Sequence, residues 1–160
     1  MRFLLVDRIQ ELEPGVRIKA SKTLPASEEL FLDHFPGFPV VPGVLLTEMM
    51  GQAAAKCLTA EGKHSGRPML GEIRSAKFRG WVRPGQEILL FAEIRQNRPQ
   101  FATAECHAEV DGKQVCSAEL FFVFAPQQQF TDLKDDVLDA YFKNRFPDLG
   151  DIEREVKQEQ

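Results

Sequence analysis

Cysteine is scarce in this chain: three residues in 160, at Cys57, Cys106 and Cys116. An odd number with no secretory signal argues for reduced, structural thiols. Histidine is equally sparse. His34, His64 and His107 lie far apart, and no His/Cys cluster has the ligand spacing of a zinc site, so no metal is expected. No apolar run is long enough to span a membrane, and the opening MRFLLVDRIQ has too short an apolar stretch for a signal peptide; the expected location is cytoplasmic. There is no phosphate-binding glycine loop and no dinucleotide fingerprint. Positive charge is not in excess: 20 Lys and Arg against 24 Asp and Glu leave a net charge of −4, which argues against nucleic acid as a partner.

What is present is ordinary for a globular protein: 43% hydrophobic and 28% charged residues, in a chain long enough for one domain with a real core. Leu4 to Ile9 is a short apolar run, closed by a turn at Glu13-Pro14-Gly15. Val16 to Thr23 alternates apolar and polar residues, as a half-exposed strand does. Ser27 to Leu32 reads as a helical turn with Ser27 as N-cap. A helix starts at Gly43 or Val44 and stops near Gly62. Lys63 to Pro68 is a polar loop, and strands follow at Met69–Phe78, Glu87–Arg95, Phe101–Val110 and Gln114–Phe124. Asp111-Gly112 is a strong hairpin signal between the last two. One long helix and five or six strands suit an α+β domain with an antiparallel sheet. After a linker at Gln127 to Gln129, Phe130, Leu133, Val137, Leu138, Tyr141, Phe142 and Phe146 fall at helical spacing, which predicts an amphipathic helix from about Thr131 to Lys143.

The chain is organised around His34 to Gln52, HFPGFPVVPGVLLTEMMGQ. Pro36, Pro39 and Pro42 forbid a regular helix in its first half. Its second half opens a helix that is apolar nearly all round, the pattern of a core helix. Glu48 and Gln52 lie four apart and share a face of it. Burial would keep the Glu48 carboxyl protonated and able to donate. His34, just before the rigid loop, is the natural proton-exchanging partner. The free N–H groups near Gly43 can hold a polarised carbonyl oxygen. Each residue alone has a structural explanation; the combination points to acid–base chemistry.

H-F-P-G-x-P-V-x-P-G-V-L-x-x-E-x-x-x-Q resembles the active-site segment of the bacterial 3-hydroxyacyl-(acyl-carrier-protein) dehydratases, in the branch that carries Glu as the acid. LLVDRIQELEPGVRI, KFRGWVRPG and VDGKQVCSAEL are similar to further family segments, so the likeness covers about residues 4–124. Gly80, Trp81 and Gln86 depart from the family's R-F-x-x-P-V-x-P-G-D pattern. The resemblance implies a hotdog fold, a long central helix wrapped by a curved antiparallel sheet, over residues 1–125. Residues 126–160 form the linker and C-terminal helical extension. It also implies removal of water from a (3R)-3-hydroxyacyl thioester carried on the phosphopantetheine of acyl carrier protein, with no cofactor. In that scheme His34 takes the C2 proton, Glu48 protonates the leaving hydroxyl, the Gly43 N–H binds the thioester carbonyl and Gln52 orients Glu48.

Candidate tunnel residues for the acyl chain are Phe38, Leu46, Met50 and Met69, and candidate carrier-docking cations are Arg74, Lys77, Arg79 and Arg83. The family's assembly implies a homodimer, or a trimer of dimers, with sites shared between subunits. Two rival readings are a hotdog thioesterase and a non-catalytic hotdog subunit. The paired His34 and Glu48 argue against both.

Overall fold

A computed structural model describes residues 3–126 and 128; the expected helix at about 131–143, and with it nearly all of the 126–160 extension, lies outside the described residues. The described elements are β1 (Arg8–Glu13), β2 (Arg17–Thr23), α1 (Leu30–Asp33), α2 (Gly43–Glu61), β3 (Gly66–Phe78), β4 (Glu87–Asn97), β5 (Phe101–Val110) and β6 (Lys113–Pro126). The strands form one antiparallel sheet in the order β1-β2-β4-β5-β6-β3. The sheet curves around α2, as a hotdog fold does.

Alternation along the strands explains how sheet and helix meet. Successive side chains of a strand point to opposite faces. Ile18, Ala20, Ile88, Leu90, Ala92, Ala102, Ala104, Cys106, Ala108, Cys116, Ala118, Leu120 and Phe122 are all buried on the face turned to α2. Across from them α2 buries Leu46, Met49, Met50, Ala53, Ala54, Cys57 and Leu58. Alanine dominates the inward face of β5, which lets a helix of roughly 28 Å lie close against the sheet with its larger side chains filling the gap. Each fully buried Leu or Met there contributes about 1.5–3 kcal/mol.

The boundaries have local causes. Gly62 ends α2 in the left-handed conformation at φ 69°, and its N–H bonds Thr59 O at 3.1 Å. Asp111 and Gly112 turn the β5–β6 hairpin with φ of 52° and 73°, the type I′ pattern.

One expectation is corrected. Ser27 does not cap a helix: α1 begins at Leu30, Glu29 stands at its N-cap, and no side chain bonds the cap. The apolar run Leu4 to Ile9 leads into the first strand. Leu5 and Val6 are buried, but the β1 ladder starts only at Arg8, opposite Ser21. The preceding segment is stapled by side chains instead. Lys22 Nζ donates to Leu4 O at 3.1 Å and to Asp7 Oδ1 at 2.7 Å, and Asp7 Oδ2 accepts the Thr23 N–H at 2.9 Å.

Candidate active site

His34 closes α1 and opens the proline loop. Its N–H bonds Leu30 O at 3.0 Å, and its carbonyl accepts the Val40 N–H at 3.0 Å. Between those two residues, Phe35 and Phe38 exchange backbone bonds of 3.1 and 2.9 Å around Pro36-Gly37. Proline presets the second turn position, and Gly37 supplies the φ of 78° that the third requires. The imidazole is fixed from the same loop, with Nδ1 3.0 Å from Val40 O and the ring stacked on Phe35 at 4.1 Å. A carbonyl oxygen only accepts, so Nδ1 must carry the proton of this bond. Nε2 of the neutral ring then keeps its lone pair and can take a proton.

Glu48 lies on α2 and is half-buried rather than enclosed, in contrast to the burial expected from the apolar helix. Its Oε1 accepts from Gln52 Nε2 at 3.0 Å. Gln52 is itself fixed: its Oε1 accepts the Leu5 N–H at 2.9 Å, and its Nε2 also donates to Phe3 O at 3.0 Å. The amide orientation is thereby decided, because only the nitrogen side can face Glu48. The remaining carboxyl oxygen of Glu48 is left to carry or release a proton.

Gly43 is the first residue of α2, behind Pro42, and no side chain caps this end. Leu45 N and Leu46 N both turn back to Pro42 O, whereas the Gly43 and Val44 N–H groups have no acceptor among the described residues. These free donors sit at the positive end of the helix dipole. A Cβ on Gly43 would come within 2.8 Å of the Phe78 ring, so the position has room only for glycine unless that ring moves.

No hydrogen bond or ion pair joins His34 to Glu48 within the chain among the described residues. Each is tied to its own surroundings instead. The structure thus provides a positioned proton acceptor, a positioned carboxyl group and a pair of unengaged N–H donors, on one loop and one helix turn.

The FabA-like domain model matches residues 1–119. The chain belongs to the FabA-like family. The 3-hydroxyacyl-[acyl-carrier-protein] dehydratase FabZ of Levilactobacillus brevis is 42% identical over 124 residues, 77% of this chain and 84% of that protein. Its counterpart in Pediococcus pentosaceus is 41% identical over 134 residues, 83% of this chain and 87% of that one. Among solved structures, the dehydratase heterocomplex ApeI:P from Xenorhabdus doucetiae aligns with a TM-score of 0.65 at 16% identity, covering 82% of this chain and 89% of the other. The PaaI protein of E. coli aligns at 0.60 with 14% identity, covering 72% and 81%. At such identities these likenesses speak to the fold, which is the hotdog fold.

Within the FabA-like chain, the remaining candidates scatter. Leu46 and Met50 are buried in the core, while Phe38 and Met69 are 46% and 45% exposed. The four cations divide as well. Arg74 pairs with Glu119 at 3.4 Å and lies over the Phe121 ring, and Arg79 donates to Ser117 Oγ at 2.8 Å. Lys77 is in register with the same Ser117. These three belong to the sheet's outer face, where an open groove of about 740 Å³ runs past Lys19, Phe91 and His107. Arg83 stands apart, over the Phe38 ring. What sequence reasoning missed are mainly backbone partners: Val40 O, Leu5 N–H and Phe3 O. Phe78 over Gly43 is a side chain within the recognised KFRGWVRPG segment, but nothing in its spacing indicates that contact.

Proposed function

We propose that this chain is a (3R)-3-hydroxyacyl-[acyl-carrier-protein] dehydratase, a hydro-lyase that forms a trans-2-enoyl thioester in fatty-acid biosynthesis. The observation that carries this reading is the pair of separately fixed groups: a histidine with Nδ1 bound to Val40 O, and a glutamate held by Gln52. Relatives named for this activity match over most of their length. In the reaction, His34 Nε2 removes the C2 proton. Charge that develops on the thioester oxygen is met by the Gly43 N–H. The C3–O bond breaks as Glu48 delivers a proton to the departing hydroxyl, and water leaves. The proton on His34 returns to Glu48 through solvent. The thioester itself acidifies C2, so the chemistry requires no redox cofactor or metal.

The substrate would arrive on acyl carrier protein, in the cytoplasm; no helix among the described residues is long and apolar enough to cross a membrane. The catalytic unit is residues 1–125, and 126–160 is an extension of it. The active form is a homodimer, singly or as a trimer of dimers. Its support is β3, a strand of 13 residues that stands at the edge of the sheet with one side unpaired among the described residues. Met69, Ile73 and Phe78 along it are 45%, 49% and 51% exposed, an edge that no described element blunts. Pairing two such edges would bring His34 of one subunit toward Glu48 of the other.

The test is hydration of a crotonyl thioester, followed as loss of enoyl absorbance with a thiol reagent present. A dehydratase consumes the enoyl signal without releasing thiol. Thiol release would indicate a thioesterase, and neither change would indicate a non-catalytic subunit.

A further inference from the structure

Beside the loop that carries His34 stands a cluster that the proposed chemistry does not use. Trp81, the chain's single tryptophan, is 71% exposed. Its ring meets Phe38 edge to face, with centroids 6.1 Å apart and planes at 87°. The guanidinium of Arg83 lies 4.2 Å from the centre of the Phe38 ring, a cation–π contact. Unlike Arg74, Arg83 has no carboxylate partner among the described residues.

The support beneath this cluster is rigid. Val82, between Trp81 and Arg83, is 1% exposed, and its carbonyl accepts the Val41 N–H at 2.8 Å. With Val82 turned inward, its two neighbours are presented outward. Gln86 Oε1 holds the Arg83 N–H at 2.7 Å, and Gly85 N bonds Leu24 O at 2.8 Å. Val41 is two residues from Gly43, so the cluster flanks the free N–H groups of α2. Trp81 is also one of the positions at which the chain departs from the dehydratase pattern.

An exposed guanidinium beside an exposed aromatic corner is complementary to an anion next to bulky hydrocarbon. A 4′-phosphopantetheine arm has that chemistry at the end remote from its thioester: a phosphate, one methylene away from a carbon bearing two methyl groups. We propose that Arg83, Phe38 and Trp81 bind this end of the arm. Arg83 contacts the phosphate through charge-assisted hydrogen bonds, and the two rings cover the methyl groups. The inference rests on the thioester chemistry proposed above. It removes Arg83 from the carrier-surface cations and Phe38 from the acyl tunnel.

Two substrates isolate the phosphate: crotonyl-4′-phosphopantetheine and crotonyl-pantetheine. The full chain should prefer the phosphorylated one in kcat/KM by about tenfold, the scale of one charge-assisted bond. Arg83→Ala should bring that preference close to one, and Arg83→Lys should retain part of it. Independently of turnover, Trp81 emission should change saturably on titration with 4′-phosphopantetheine, with affinity about tenfold weaker in Arg83→Ala. A phosphate preference that survives in Arg83→Ala overturns the proposal. So does Trp81 emission that is already that of a buried indole and indifferent to the ligand, because a second copy would then cover the patch. If Trp81 titrates but no thioester is hydrated, the arm site stands and the dehydratase reading fails. If thioesters are hydrated with a preference independent of Arg83, only the arm site fails.

Discussion

His34 shows how a backbone atom decides what a side chain does. The Val40 carbonyl fixes the tautomer of the neutral ring, which leaves Nε2 as the nitrogen for the proposed base role. Replacing His34 by Ala, or Glu48 by Gln, should lower turnover by at least ~100-fold with the fold retained. Crotonyl thioester hydration beside circular dichroism of each variant checks this, and near-normal turnover in folded Glu48→Gln contradicts the assignment. In the proposed scheme Gln52 acts through Glu48, as a positioning residue. Gln52→Ala should reduce kcat roughly tenfold, the worth of one hydrogen bond to a charged group, and leave KM almost unchanged. A matched rise in KM with constant kcat would point to substrate binding instead. The candidate residues were legible in the sequence because a histidine and a carboxylate stand out in an apolar, proline-rich segment. Their partners were not, since every residue offers a carbonyl and nearly every one an N–H. The half-exposure of Glu48 was also hidden, because an apolar helix conceals which of its sides meets an opening.

At the scale of elements, legibility followed periodicity. The inward rows Ala102-Ala104-Cys106-Ala108 and Cys116-Ala118-Leu120-Phe122 alternate without a break, and both are buried as alternation requires. Where no period exists, less was legible. Leu5 and Val6 are buried like strand residues, but side-chain bonds from Lys22 and Gln52 hold their segment in place of a full ladder. Serine at position 27 is a favourable cap that goes unused, because α1 is one turn long and starts later. Leu120, fully buried opposite α2, should cost about 2–5 kcal/mol on replacement by Ala. Gly62→Ala should cost about 1–2 kcal/mol through its left-handed φ alone. Denaturant melts of both variants measure these losses; an unchanged midpoint for Leu120→Ala would contradict the packing described here.

For the whole molecule, stability at alkaline pH reports the buried thiols. Burial pushes Cys57 and Cys116 up to about 11 and Cys106 to about 12, from an ordinary value of 9.0. Burial also lowers Lys56 from 10.5 to about 8. Each thiol stays protonated longer in the folded chain, so its contribution is complete below pH 9.0 and is lost as pH rises through its folded value. Lys56 acts oppositely: between about 8 and 10.5 the unfolded chain binds the extra proton, and rising pH restores stability. Three thiols outweigh one amine. Stability should therefore fall above about pH 9, at up to ~1.4 kcal/mol per pH unit for each unopposed thiol. Melts in reducing buffer from pH 8 to 11 check this, and a flat profile contradicts it.

Among the described residues β3 is an edge strand, and His34 and Glu48 are each bonded to their own surroundings. In the homodimer proposed above, the histidine and the glutamate of each site are supplied by different subunits. Co-refolding the His34→Ala and Glu48→Gln chains tests this and the acid–base assignment together. A mixed dimer would hold one doubly defective site and one intact site. Random pairing should restore about a quarter of wild-type hydration activity from two inactive parents, by two-fold symmetry. Verified heterodimers as inactive as either parent would contradict the shared His34–Glu48 site.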